Sequence, residues 1–320
     1  MSTDRFPQDA AAPVPAAVTT HFGALPFAAL LTGAVAIGFA GILMRMSDVN
    51  PLASAFWRMG LAAPLLWLWA LSTAQQDRTA GRRTGFTPAL LLAGGYFAGD
   101  MALWHLSLHF TTVSNATLLS NFAPVFIALW MWLAWRRRFK RVFVIGMLVA
   151  LAGAVLLVAP NAHGLGGAGG GSTGGADSTR LLGDGLGLGS AVFYAGYQLV
   201  IKTARNRYST ARLMAWSTTI TGLALLPFAL AAPGPFLPLH AAGWLPLLGL
   251  ALLAQIGGQT VIAYASAHLP ASLSSVSLLL QPLTATIAAW LIFGEAIAPL
   301  QMLGGALLLW GISLSKRGGG

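Results

Sequence analysis

Apolar stretches of about twenty residues recur along the whole chain, and short polar segments separate them. A helix needs roughly 20 mainly apolar residues to cross the hydrocarbon core of a bilayer. The stretches do not alternate at every second residue, as the strands of a closed barrel would. Since 56% of the 320 residues are hydrophobic and only 8% are charged, a water-soluble fold of this size would lack polar surface. The sequence therefore predicts an all-α membrane protein.

The pattern predicts ten transmembrane helices, five on each side of a glycine-rich segment. The predicted spans are 25–46, 52–71, 88–109, 112–135, 142–159, 182–203, 211–231, 244–267, 270–293 and 297–314. Low-complexity glycine runs favour a flexible link rather than a helix. The predicted units are a disordered tail over 1–24, a five-helix unit over 25–159, a loop over 160–180, a second five-helix unit over 181–315 and a tail over 316–320.

Lysine and arginine residues concentrate in the loops that follow even-numbered spans and at the C-terminus. They are Arg78, Arg82, Arg83, Arg136, Arg137, Arg138, Lys140, Arg141, Lys202, Arg205, Arg207, Arg212, Lys316 and Arg317. The positive-inside rule therefore places both termini in the cytoplasm. This asymmetry accounts for most of the net charge of +10, so we expect the lipid bilayer, and no nucleic acid, as the partner of these charges.

Matching residues in the two halves indicate an internal repeat with an offset of 158 residues. The pairs include Ser114 with Ser272, Thr117 with Ser275, Pro124 with Pro282, Trp132 with Trp290, Gly146 with Gly304 and Gly153 with Gly311. Because each copy holds an odd number of spans, the two copies would cross the membrane in opposite directions. Inverted repeats of this kind are typical of transporters that work by alternating access. A duplication kept only for folding is the alternative.

Two charged residues fall deep inside predicted spans, away from their ends: Asp100 in the third and Arg58 in the second. A charge within the bilayer is costly unless it is paired, and it is by default a functional candidate. Tyr96 and Trp104 lie at helical spacings from Asp100 and would share its face. We predict an Asp100–Arg58 ion pair that substrate or protons can open; a purely structural pair that locks the helices together is the alternative.

Neutral polar and aromatic residues in other spans are candidates to line a substrate cavity. They are Asn121, Tyr194, Gln198, Gln255, Gln259, Ser277 and Gln281. Pro124 and Pro282 occupy matching positions and each removes a backbone hydrogen bond, so they are hinge candidates. The alternative is interhelical packing, in which small polar residues let helices approach closely and bond to each other.

Several of these residues form a pattern that resembles the EamA repeat of the drug/metabolite transporter superfamily. The second half carries Pro270-Ala271-Ser272, Gln281-Pro282, Trp290, Gly294-Glu295, Gly304-Gly305 and Gly311, and the first half carries Ser114-Asn115-Ala116, Pro124, Trp132, Gly146 and Gly153. The resemblance implies a ten-helix carrier of the bacterial inner membrane, often an exporter of amino acids or other metabolites, that works without ATP. The first half departs from the pattern, since Arg136 and Arg137 stand where the second half has Gly294 and Glu295.

The predicted function is secondary active export of a small metabolite that is amino-acid-like or otherwise amphipathic, with protons as the candidate coupling ion. Import, passive facilitation and a non-transporting membrane partner are the alternatives. Phosphate-binding loops and metalloprotease or serine-hydrolase motifs are missing from the sequence, so no enzyme activity and no cofactor are expected. The chain has no cysteine and no metal site is predicted. No sequence feature specifies an oligomeric state.

Overall fold

The computed structural model describes residues 24–107, 110, 113–136, 138–162, 177–294 and 296–318. Within these ranges every regular element is helical, so the predicted all-α fold is confirmed there. The predicted N-terminal tail, except its last residue, and most of the predicted glycine-rich loop lie outside the described residues.

Fifteen α-helices, one short 3₁₀-helix (Ala241–Gly243) and one π-helix follow one another along the described chain. In the first half they are α1 (Ala24–Gly38), α2 (Ala40–Arg45), α3 (Pro51–Ser72), α4 (Ala74–Thr79), α5 (Pro88–Ser107), α6 (Val113–Ser120), α7 (Ala123–Trp135) and α8 (Arg141–Ala162). In the second half they are α9 (Asp177–Ala204), α10 (Thr210–Ala231), α11 (Trp244–Gly249), the π-helix (Leu250–Gln259), α12 (Thr260–His268), α13 (Ala271–Ser277), α14 (Leu280–Phe293) and α15 (Pro299–Gly318).

Among the described residues, five helical stretches are long and apolar enough to cross a membrane. They are Ala24–Arg45, Arg141–Val158, Thr210–Ala231, Ala241–His268 and Ala271–Phe293, and the shorter apolar stretch is Leu118–Ala134. The other four predicted spans coincide with α3, α5, α9 and α15. These helices carry polar residues, glycine or tryptophan, which lower their mean hydropathy. The count of ten spans and the cytoplasmic termini therefore stay predictions.

Helices α8 and α15 end the two repeats, and they pack against each other in antiparallel directions. A Cβ atom on Gly146 would lie 2.8 Å from the carbonyl oxygen of Gly311, and one on Gly304 would lie 2.7 Å from the carbonyl oxygen of Gly153. Gly146 is equivalent to Gly304 in the repeat, and Gly153 is equivalent to Gly311. The two contacts are therefore related by the symmetry of the repeat. Only glycine lets the two backbones approach this closely.

Helices α3 and α10 are another equivalent pair and also run antiparallel. Each begins with a polar cap: Asn50 accepts a hydrogen bond from the Ala53 amide at 2.7 Å, and Ser209 accepts one from the Arg212 amide at 3.3 Å. The Asn50 side chain donates to the carbonyl of Ala229 near the end of α10. At the other end, Arg212 donates to the carbonyl of Ala70. Antiparallel contact between equivalent helices is the geometry that an inverted repeat requires.

The helices containing the two prolines are broken at matching places. Helix α6 ends at Ser120 and α7 begins at Ala123, whereas α13 ends at Ser277 and α14 begins at Leu280. Each proline lies in the first turn of the second piece, where a missing N–H leaves no helix bond unmade. The prediction that each proline removes a backbone hydrogen bond in mid-span is therefore wrong, because each proline lies in the first turn of a new helix.

Candidate functional site

Arg58 lies on α3 and is buried, with 7% of its surface exposed. Its Nε donates to the Gln255 side-chain oxygen at 3.1 Å, and the Gln255 amide nitrogen donates to the Thr218 hydroxyl at 3.0 Å. The guanidinium also lies 5.9 Å from the centre of the Phe97 ring, within reach of a cation–π interaction. Arg58 is thus held by α5, α10 and the π-helix together.

Asp100 lies on α5 and is also buried, with 5% of its surface exposed. Its Oδ1 accepts a hydrogen bond from the Ser190 hydroxyl of α9 at 2.6 Å. The described residues include both Asp100 and Arg58, and no ion pair joins them, although their charges are close enough to attract each other. The predicted ion pair is not formed in this structure because Arg58 is directed to Gln255 and Asp100 to Ser190.

A row of aromatic rings lies beside the two charges. Phe97 stacks on Tyr197 with a centroid distance of 4.6 Å, and Tyr197 stacks on Tyr194 at 6.1 Å. The Tyr194 hydroxyl accepts a hydrogen bond from the Gln198 amide at 2.9 Å. Gln259 and Gln281 also approach this hydroxyl, so the rings are surrounded by amide groups from three helical elements.

The π-helix supplies both Gln255 and Gln259. Its ten residues follow α11 without interruption. Thr260 closes the last wide turn by donating its backbone N–H to the Gln255 carbonyl, and its side-chain hydroxyl donates to the same oxygen at 3.2 Å. π-type turns are rare in proteins and often occur at functional sites. Gln259 is 2% exposed and its Nε2 has no hydrogen-bond partner. The hydroxyl groups of Tyr194 and Tyr197 lie close to the Gln259 side chain.

Arg58 and Asp100 lie at similar distances along their helices. Arg58 is seven residues from the start of α3 at Pro51, and Asp100 is seven residues before Ser107 of α5. At 1.5 Å per residue, each lies about 10 Å along its helix from the named residue. We call the buried group formed by the two charges, Gln259 and the aromatic rings the buried layer.

The structure brings together Arg58, Asp100, Tyr194, Gln198, Gln255, Gln259 and Gln281 among the predicted residues. The other predicted residues lie elsewhere or have other contacts. The Tyr96 ring packs against Phe193 and Gly196 of α9, and the Trp104 ring contacts His105. The Ser277 hydroxyl donates to the Leu273 carbonyl of its own helix, and Asn121 lies at the break between α6 and α7.

Three residues of the site were not predicted: Phe97, Ser190 and Thr218. Phe97 could have been found, because it is three residues before Asp100 and hence close to its helical face. Ser190 and Thr218 bond to Asp100 and Gln255 from 90 and 37 residues away. No spacing within a single helix indicates such contacts.

A second buried acid, Asp77 on α4, was also missed. It is 1% exposed, accepts a hydrogen bond from Ser209 at 2.7 Å and forms an ion pair with Arg82 at 3.5 Å. Burial, followed by repulsion from Arg82, lowers the pKa of the nearby Arg205, and attraction to Asp77 opposes this shift. We call this end of the molecule, where Asp77, Arg82, Arg205 and Arg212 lie, the basic end.

The opposite end is held by contacts of the segment between α10 and α11. The Leu239 amide donates to Asp48 at 2.9 Å, and the Trp57 indole donates to the Phe236 carbonyl at 2.9 Å. The ring of Trp244 packs edge-on against Trp57 at 4.9 Å. This segment covers the start of α3, seven residues from Arg58.

A cavity of about 270 Å³ lies between α1 and α14, away from the charges. Its lining is almost wholly apolar: Val35, Phe39, Leu280, Leu283, Thr284, Ile287, Ala288 and Leu291. None of the predicted site residues lines it. Among the described residues, no cluster of histidine and acidic side chains could hold a metal ion.

Comparison with protein families identifies both halves of the chain. The model of the EamA-like transporter family matches residues 25–159 and again residues 181–316. A model described as solute carrier family 35 matches residues 103–228.

Similar proteins are named as transporters and exporters. An uncharacterized transporter of Archaeoglobus fulgidus is 26% identical over 87% of this chain and 91% of its own length. A probable terminal-alkyne amino-acid exporter of Streptantibioticus cattleyicolor is 27% identical over 72% of this chain and 73% of its own length. The pseudopaline exporter of Pseudomonas aeruginosa is 24% identical over 82% of this chain and 86% of its own length.

A protein of known crystal structure has the same fold. It superimposes with a TM-score of 0.73, covers 91% of this chain and 96% of its own, and is 16% identical in sequence.

Proposed function

The chain belongs to the EamA-like transporter family, and on this premise we propose that it exports a small, amino-acid-like or otherwise amphipathic metabolite by alternating access. Members of such a family are multi-pass membrane proteins and transporters, not enzymes. The proposal adds direction, substrate class and mechanism. It places the protein in a bacterial inner membrane with ten spans, arranged as two inverted five-helix repeats, and with both termini in the cytoplasm.

The observation that carries the proposal is a buried charged site inside a pair of antiparallel repeats. Arg58 and Asp100 are both more than nine-tenths buried, and each is held by contacts from the second repeat. Buried charges within membrane helices usually serve a substrate or ion pathway. Two antiparallel repeats around such a site can exchange roles between the two faces of the membrane.

The broken helices support the same mechanism. Discontinuous helices at equivalent positions of two repeats are typical of transporter binding sites. The breaks at 121–122 and 278–279 match within one residue of the repeat offset. Pro124 and Pro282 lie in the first turn of the pieces that follow, and we propose that the chain bends there when access alternates.

The direction of transport is proposed from relatives. Two of the similar proteins are named as exporters, one of them of an amino acid. For coupling, we propose that Asp100 exchanges protons with the aqueous phases, because it is the acid of the buried layer and one of its oxygens already accepts a hydrogen bond.

Efflux from proteoliposomes tests the proposed function. The purified protein is reconstituted, the liposomes are loaded with a pooled metabolite mixture, and efflux is compared with protein-free liposomes. We expect saturable loss of a few zwitterionic or amphipathic compounds, and at least a tenfold slower loss with Arg58→Gln. Arg207→Gln is the matched control, since Arg207 is exposed and lies in a loop.

Other outcomes correspond to other functions. Uptake in preference to efflux under the same gradient would indicate an importer. Flux that no gradient drives would indicate a facilitator. No flux of any compound, with the protein folded, would contradict transport and favour a non-transporting membrane partner.

A further inference from the structure

We infer that the buried layer binds a zwitterion in one orientation, with its carboxylate at Arg58 and Gln259 and its ammonium group at Asp100. This inference rests on the proposed function, since it assigns a ligand to the same site. It goes further by giving each charge of the ligand a separate partner.

The Arg58 side chain has unused donors. Within the described chain only its Nε makes a hydrogen bond, to Gln255. The two terminal nitrogens have no partner, and they are not among the unpartnered atoms that are fully enclosed by protein. Gln255 is itself held by Thr218, so the guanidinium is fixed with its outer edge open. This edge can hold a carboxylate through two parallel hydrogen bonds.

Gln259 adds a donor beside the same aromatic rings. Its Nε2 is enclosed and makes no well-aligned hydrogen bond, although the hydroxyl groups of Tyr194 and Tyr197 lie close to its side chain. Arg58 attracts the same two hydroxyl groups electrostatically. An anionic oxygen placed between Arg58 and Gln259 would satisfy both donors, whereas an apolar or cationic group there would leave them unmet.

Asp100 has an unused acceptor. Its Oδ1 accepts from Ser190, while Oδ2 makes no hydrogen bond within the described chain and is not fully enclosed. A carboxylate oxygen that makes no other hydrogen bond can accept one from an ammonium group. Because Asp100 and Arg58 are close enough for their charges to attract each other, the two unused groups can reach opposite ends of one small molecule.

The aromatic row indicates which side chain the ligand carries between its two charged groups. Phe97 lies between Arg58 and Tyr197, and the stacked rings offer an apolar face beside the two charges. A ligand with separated positive and negative groups and an apolar or aromatic side chain therefore matches all three surfaces. L-Phenylalanine is a suitable probe of this chemistry.

Binding to the purified protein in detergent tests the inference with three matched probes. L-Phenylalanine carries both charges, L-phenylalaninamide lacks the carboxylate, and 3-phenylpropionate lacks the amine. Titration calorimetry on the unmodified protein should give at least tenfold tighter binding for L-phenylalanine than for either analogue. Equal affinity for the three probes, or no binding of L-phenylalanine, overturns the inference without any variant.

Two variants assign the charges. In Arg58→Gln, the affinity for L-phenylalanine should fall to that for L-phenylalaninamide, and the affinity for the amide should stay unchanged. In Asp100→Asn, the affinity for L-phenylalanine should fall to that for 3-phenylpropionate. Arg207→Gln and Asp48→Asn are matched controls outside the site. If either site variant weakens all three probes by the same factor, Arg58 and Asp100 are structural and the orientation is wrong.

The outcome is separable from that of the proposed function, because binding in detergent needs neither a membrane nor a gradient. Charge-selective binding without flux in proteoliposomes would keep this inference and reject transport. Flux of metabolites that shows no preference for zwitterions would keep transport and reject this inference.

Discussion

Arg136 ends α7 with a φ of 50°, in the left-handed region, and it is the only described non-glycine residue with a positive φ. The equivalent Gly294 ends α14 with a φ of 68°. Since a side chain costs about 1–2 kcal/mol in this conformation, Arg136→Gly should raise the free energy of unfolding by about 1 kcal/mol.

Chemical unfolding in detergent measures this effect. Gly294→Ala should lower the stability by a similar amount, because a methyl group there meets open space and only the backbone conformation is strained. Arg138→Gly, two residues further along and without a positive φ, is the control and should not stabilise the protein. Equal effects of the two arginine variants would contradict the explanation.

Asp77 is the residue on which the contacts of the basic end depend. Asp77→Asn keeps the shape but removes the charge that holds Ser209 and Arg82. Hydrogen bonds to a charged group contribute about 1.5–3 kcal/mol, so the variant should lose about 2 kcal/mol of stability. Arg82→Gln should lose less than about 1 kcal/mol, because Arg82 is half exposed and exposed ion pairs contribute little. A larger loss for Arg82→Gln in the same unfolding assay would show that Ser209 is unimportant.

Among the helices, α8 and α15 have the closest approach of backbones. A Cβ on Gly311 would overlap the backbone nitrogen of Ala150, so Gly311→Ala should push the two helices apart and cost about 1–3 kcal/mol. Gly41→Ala is the matched control, because nothing lies within 4 Å of its Cβ position and alanine is the better helix former. Thermal unfolding should show Gly311→Ala less stable, and Gly41→Ala equal or more stable. A loss of the same size in both would mean that glycine packing does not hold the repeats together.

The positions of most helices could be predicted from the sequence, but their interruptions could not. Long apolar runs and flanking polar caps such as Asn50 and Ser209 are local features, and they locate the helices well. The breaks before Pro124 and Pro282 depend on 3₁₀-type bonds such as Gln281 N to the Leu278 carbonyl at 3.0 Å. The π-helix depends on wide turns such as the one closed by Thr260. At the breaks and in the π-helix, the backbone forms i−3 or i−5 hydrogen bonds instead of the usual i−4 bonds. These patterns differ little in local sequence, so packing between helices decides which one forms.

At the scale of the whole molecule, the topology follows from the two ends. Three basic residues, Arg82, Arg205 and Arg212, gather at one end, while Asp48, Asn50 and the segment after α10 form the other. Because the chain has no native cysteine, single cysteines can report orientation directly. In intact cells of an expression host, Leu237→Cys should react with a membrane-impermeant thiol reagent. Thr79→Cys should react only after permeabilisation, and the reverse pattern would contradict cytoplasmic termini.

The charged residues and several amide residues of the candidate site were predicted from the sequence, but their contacts were not. Buried charges and amides stand out in apolar helices, so Arg58, Asp100 and Gln255 could be identified from the sequence. Which groups pair could not, because Arg58 is directed by Gln255 from the other repeat rather than by Asp100. The sequence favoured attraction between opposite charges. In the folded chain, neutral side chains from neighbouring helices bond to part of each charged group.

The most direct test of the account is gradient-driven efflux through this site. Proteoliposomes containing the unmodified protein or Asp100→Asn are loaded with the metabolites that the protein moves, and efflux is followed with and without an imposed pH gradient. Asp48→Asn is the control for loss of an acid outside the site. We expect the gradient to accelerate efflux through the unmodified protein and the control but not through Asp100→Asn. An equal acceleration in all three would contradict coupling through Asp100, and no efflux in any of them, with each protein folded, would contradict transport.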